Sequence, residues 1–94
     1  MEIVSIKHRG LLSFYTTGRS RGLRQDMVPR IQNVLDALDA APDMGTLEGP
    51  PGWRIHQLRG DRAGQWSISV SGNWRLTFTI IDGAIHDLDL EDYH

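Results

Sequence analysis

Apolar side chains recur at helical spacing between residues 26 and 41. Met27, Val28, Ile31, Val34, Leu35 and Leu38 form one stripe, with Asn33, Asp36 and Ala40 opposite. Asp26 is a natural N-cap, Pro29 falls in the first turn where a missing N–H costs little, and Pro42 ends the element. An earlier segment, His8–Thr17, gathers Leu11, Leu12, Phe14 and Tyr15 before Gly18, a suitable helix stop. A basic connector, GRSRGLR, joins the two predicted helices. After them, PDMGTLEGPPG (42–52) is rich in proline and glycine and reads as loop.

Beyond Gly52 the period falls to two. Trp53–Arg59 is a predicted strand and RGDRAGQ a turn. In WSISVS (66–71), Trp66, Ile68 and Val70 alternate with serines; Gly72-Asn73 then signals a hairpin. In WRLTFTII (74–81), Leu76, Phe78 and Ile80 lie on one face and Arg75, Thr77 and Thr79 on the other. Asp82-Gly83 turns the chain into a last strand, Ala84–Leu90, and Glu2–Ile6 suits a short first strand. The expected fold is α+β: two N-terminal helices packed on one face of an antiparallel sheet. The opposite face is then a polar floor containing Arg75, on which chemistry can be built.

Ninety-four residues suffice for one domain, 1–94, and leave no room for a second core. The absence of cysteine excludes a disulfide framework and thiolate metal sites and fits a reducing cytoplasm. MEIVSIKHRG lacks the apolar run of a signal peptide, and no stretch is long and apolar enough to span a bilayer, so no membrane association is expected. The net charge of −2 conceals sorting along the chain. Lys7, Arg9, Arg19, Arg21, Arg24 and Arg30 dominate the first thirty residues, whereas 31–50 and the end of the chain are acidic. Every cation but Lys7 is arginine, whose planar fork suits phosphate, so a basic patch can engage nucleic acid.

His56, Arg59 and Arg75 fall in the sheet half, and the chain closes on EDYH, which supplies Asp92, Tyr93 and His94. Cleaving RNA requires a base for the 2′-hydroxyl, cations for the crowded phosphorane and an acid for the leaving 5′-oxygen. These side chains cover that set without a metal or cofactor. The histidines at 8, 56, 86 and 94 have no ligand-like spacing. Plainer roles fit the same residues: His56 as a surface histidine, Arg75 paired with Asp87 or Asp89, the tryptophans as packing. The pattern by itself extends to a small α+β domain with an anion-binding face.

The opening IKHRGL and the segment IHQLRGDRAGQWSISVSGNWRLTFTIIDGAIHDLDLEDYH resemble the HigB-type toxins of bacterial toxin–antitoxin pairs, the plasmid-maintenance killer proteins of the RelE/ParE superfamily. LRGDRAGQWSISVSGNWRLTF and EDYH are its most specific parts. The resemblance implies a RelE-like fold and a ribosome-dependent endoribonuclease that cuts translated mRNA. It also implies a cognate helix-turn-helix (HigA-type) antitoxin. The matching functional positions are His56, Arg59, Arg75, Asp92, Tyr93 and His94. Position 59 commonly carries lysine in this family, and arginine does not exchange its proton near neutral pH. Arg59 and Arg75 are therefore expected to stabilise charge, and His56 and His94 to move protons in an order left open, with Asp92 and Tyr93 orienting groups. Arg19, Arg21, Arg24 and Arg62 are candidates for contacts with ribosomal RNA backbone. Two other outcomes stay open: a gyrase-binding toxin that cuts no RNA, and a decayed module that retains only antitoxin binding.

Overall fold

The computed structural model describes residues 1–93; His94, one of the expected site residues, lies outside them. Helix α1 spans Arg9–Thr17. His8 caps it, its Nδ1 accepting the Leu11 N–H at 3.1 Å. Gly18 ends it at φ 79°, a left-handed conformation that glycine adopts without a Cβ clash. Helix α2 spans Val28–Ala40, with Ile31, Val34, Leu35 and Leu38 buried as the stripe requires. Asp26 does not cap α2. It sits inside a 3-10 turn, Gln25–Met27, and pairs with Arg24 at 2.9 Å, because the turn carries the chain into the helix one residue later.

The sheet is a four-stranded antiparallel meander in the order β1-β2-β3-β4, comprising His56–Gln57, Gln65–Ser71, Trp74–Ile81 and Ala84–Asp92. The expected strand from Trp53 to Arg59 shrinks to two residues. Pro51–Trp53 forms a 3-10 turn and Arg54 is left-handed at φ 48°, so extended pairing begins only at His56. Strand β4 outlasts its expected end at Leu90 because Trp74 and Arg75 still pair with Asp92 and Glu91. A bulge between the Thr77↔Asp89 and Thr79↔His86 pairs places one extra residue in β4, with Asp87 at φ 55°. The strand is thereby rephased, and Ile85 and Leu88, three apart, are both fully buried.

The expected Glu2–Ile6 strand is reduced to two parallel bridges, Ile3↔Ile85 and Ile6↔Leu88. Val4 and Lys7 donate to the Ile85 and Leu88 carbonyls at 2.8 Å, and the Ile85 and Leu88 N–H groups return bonds to Glu2 and Ser5. Helices and sheet close over Leu11, Phe14, Met27, Ile31, Leu38, Ile68, Leu76, Phe78, Ile85 and Leu88. Each such side chain contributes about 1.5–3 kcal/mol relative to exposure. Gly10 of α1 meets the connector at Gly22 so closely that a Cβ at position 10 would lie 2.4 Å from the Gly22 carbonyl oxygen.

Candidate functional site

Directly opposed residues of a sheet share a face, and this fixes a row on the side away from the helices. His56 opposes Ser67, Ser67 opposes Thr77, and Thr77 opposes Asp89. Next to them Ser69 opposes Arg75, and Arg75 opposes Glu91. Ser67 and Thr77 are 0% and 1% exposed although they lie on the face opposite the buried Ile68, Leu76 and Phe78. Arg75 bonds to the first and Glu91 to the second.

Arg75 is the centre of the row. Its guanidinium carbon lies 3.9 Å from the Tyr93 ring centroid, a cation–π arrangement, and Nη1 is 3.3 Å from Ser67 Oγ. The Tyr93 N–H donates to the Asn73 carbonyl at 2.8 Å, tying the ring's backbone to the β2–β3 turn. Arg75 Nε is buried and meets no acceptor among the described residues. Such a donor costs about 1–3 kcal/mol unless something supplies an oxygen.

Glu91 opposes Arg75 yet bonds elsewhere. Arg62 reaches it from the turn Gly60–Arg62 with both fork nitrogens, Nη1 at 3.1 Å and Nη2 at 2.5 Å, and the Thr77 hydroxyl donates to Oε2. Arg62 Nε donates in turn to Gln65 at 2.6 Å. The bonds from Arg62 hold the Glu91 carboxyl below the ordinary carboxylate range; the Thr77 hydroxyl helps and partial burial opposes. The sequence singles out neither Glu91 nor Thr77 as a site residue, and it suggests Arg62 only as an RNA contact. The Arg62–Glu91 partnership joins residues far apart in the chain, and no local pattern marks it.

His56 stands on the exposed outer strand, its Nδ1 2.6 Å from the Arg54 carbonyl oxygen. A carbonyl only accepts, so Nδ1 carries a proton in this contact, and Nε2 is the ring nitrogen left for another partner. Arg59 is exposed just past β1 and makes no side-chain bond among the described residues. Asp92 is exposed at the end of β4, opposite Trp74. The contacts thus bring Arg75 and Tyr93 together, with His56 two strands away across β2; no described contact joins Arg59 to them. In the connector, Arg19 and Arg21 are exposed, whereas Arg24 is engaged with Asp26.

The row is half-buried at Ser69, Arg75 and Glu91 and exposed at His56 and Tyr93. A cavity of about 300 Å³ lined by Arg30, Gly52, Arg54, Ser69 and Ser71 touches it at Ser69. Among the described residues no group of three histidine or carboxylate side chains could hold a metal ion. No helix is long and apolar enough to cross a membrane. What the row offers is a guanidinium, an aromatic shelf and, on the outer strand, an imidazole. That combination suits a phosphodiester.

Residues 4–94 match the family model described as the RelE-like toxin of the type II toxin–antitoxin system HigB. Endoribonuclease HigB of Proteus vulgaris is 42% identical over 92 residues, covering 98% of this chain and 99% of the relative. The fold is similar to that of a YafQ point mutant from E. coli, with a TM-score of 0.63 at 13% identity, covering 98% of this chain and 93% of that one. It is also similar to a chain of the YoeB–YefM complex from Staphylococcus aureus, with a TM-score of 0.58 at 20% identity, covering 100% and 98%.

Proposed function

The chain belongs to the HigB-like family of RelE-like toxins of type II toxin–antitoxin systems, and on that footing we propose that it is a ribosome-dependent endoribonuclease whose catalytic surface is the polar row around Arg75. The observation that carries the reading is Arg75 itself, seated on Tyr93 in the middle of the polar row and bonded to Ser67. The guanidinium fork is a natural partner for a phosphoryl oxygen.

In the proposed reaction His56 Nε2 takes the proton of the 2′-hydroxyl, and the freed oxygen attacks phosphorus. Arg75 and Arg59 stabilise the charge on the phosphorane. The P–O5′ bond breaks and His94 protonates the leaving oxygen, giving a 2′,3′-cyclic phosphate and a 5′-hydroxyl. The Arg54 carbonyl fixes the ring so that Nε2 is the nitrogen that faces a reaction partner, which is compatible with His56 as the base; the acid role is assigned to His94. Tyr93 supports Arg75, and Asp92 orients the neighbouring groups.

Dependence on the ribosome is in keeping with a row whose His56 and Tyr93 are exposed. Groups that do not enclose their substrate gain most when another machine presents it already positioned, because orientation is worth several kcal/mol, roughly 7–11 at most. A type II system implies an antitoxin partner. We assign that partner to the helix-turn-helix, HigA-type class, and place the activity in the cytoplasm, where translated mRNA is found.

The test is to map 5′ ends of translated mRNA after brief expression of the chain and of its Arg75→Ala and His94→Ala variants. New 5′ ends that depend on both residues support the reading. Intact transcripts with the unaltered chain overturn it, and gyrase–DNA breaks in their place would assign the gyrase-binding activity.

A further inference from the structure

Arg75 and Glu91 are cross-strand partners on the exposed face, and opposite charges in such positions ordinarily pair. Here they do not. Both Glu91 oxygens face the Arg62 fork, and Oε2 also accepts from Thr77, so the acid facing Arg75 is already occupied. Arg75 meanwhile rests on Tyr93, reaches Ser67, and has no acceptor for Nε among the described residues.

We propose that Arg62 is a positioning residue that holds Glu91 away from Arg75, so that the Arg75 guanidinium stays available to RNA phosphate. This rests on the assignment of the row as the catalytic surface, and it gives Arg62 a role distinct from contact with ribosomal RNA. Geometry favours the arrangement. The guanidinium of Arg62 meets the carboxylate fork to fork, and Gln65 fixes its Nε at 2.6 Å. Lys7 adds only a weaker attraction to Glu91, without contact. With Arg62 removed, Glu91 would have one hydroxyl partner and an unpaired guanidinium across the strand. It would then compete with phosphate for Arg75.

The experiment is a double-mutant cycle on cleavage of ribosome-bound mRNA, with thermal unfolding of each variant recorded alongside. Arg62→Gln is expected to lower kcat about tenfold, within the roughly threefold to hundredfold coupling of contacting residues. Arg62→Gln/Glu91→Gln should recover most of that loss, because the competing charge is gone while Arg62 is still absent. A purely structural Arg62, or one that contacts RNA directly, predicts no recovery, and that result overturns the inference. A crystal structure of the Arg62→Gln chain gives a readout independent of activity. Glu91 paired with Arg75 supports the inference; Arg75 still lodged against Ser67 with Glu91 apart refutes it. Failure of the unaltered chain to cut mRNA would instead sink the assignment of the row as catalytic.

Discussion

The Arg75 guanidinium lies against the Tyr93 ring, its carbon 3.9 Å from the centroid, so the aromatic face is the support on which this cation rests. Tyr93→Phe keeps that support and Tyr93→Ala removes it. Single-turnover cleavage should therefore fall roughly tenfold to hundredfold in the alanine variant, in keeping with a cation–π contribution of up to about 2 kcal/mol together with lost positioning. The phenylalanine variant should lose clearly less. Equal losses would mean that the hydroxyl, not the ring face, is what the reaction uses.

The Glu91 carboxyl is held below its ordinary range first by bonds from Arg62 and then by the Thr77 hydroxyl, against partial desolvation. A group whose pKa is depressed on folding adds stability above its unfolded value and loses it as pH falls through the folded one. The urea midpoint should accordingly drop as pH is lowered from about 5 toward 3, through and below the usual glutamate value of about 4.3. Glu91→Gln should flatten part of that slope. An unchanged acid limb in the variant would remove Glu91 from the balance.

Gly10 carries a different constraint. A methyl group there would sit 2.4 Å from the Gly22 carbonyl oxygen, and the obstacle is backbone, which cannot rotate aside. Gly10→Ala should cost about 1–3 kcal/mol, the usual range for overpacking, despite alanine's better helix propensity. Chemical denaturation measures this directly; a neutral or stabilising result would show that the connector moves freely away from α1.

The connector arginines should not be equivalent. Arg24 is already bonded to Asp26, whereas the Arg19 and Arg21 side chains have no such partner among the described residues. If the connector tracks RNA backbone, Arg19→Ala/Arg21→Ala should lower the slope of log affinity for the ribosome against log salt by roughly 0.7–0.9 per lost phosphate contact. Arg24→Ala should change it less. Equal effects from all three would show that the ion pair opens on binding.

The regular parts of this fold were legible because their signals are periodic. The stripe from Met27 to Leu38 and the alternation through Ile68, Leu76 and Phe78 each place a face without help from distant residues. Where the structure departs from the pattern, a single backbone conformation or a distant partner decides. Arg54 in the left-handed region cuts the first strand short, and the bulge at Asp87 shifts β4 by one residue so that Ile85 and Leu88 share a face. The row holding His56, Arg75 and Tyr93 could be anticipated from alternation together with resemblance. The occupation of Glu91 by Arg62 could not, because nothing near either residue encodes the other.

The bridges from Ile3 and Ile6 to β4 have a consequence for behaviour in a crowded cell. An unpaired outer strand is a template on which further chains can stack, and here the β4 margin is blocked by the protein's own opening residues. The opposite margin offers only the two-residue β1. A protein so finished should resist fibril-like self-association as it accumulates, and a partner extending this sheet along β4 would first have to peel that opening segment away.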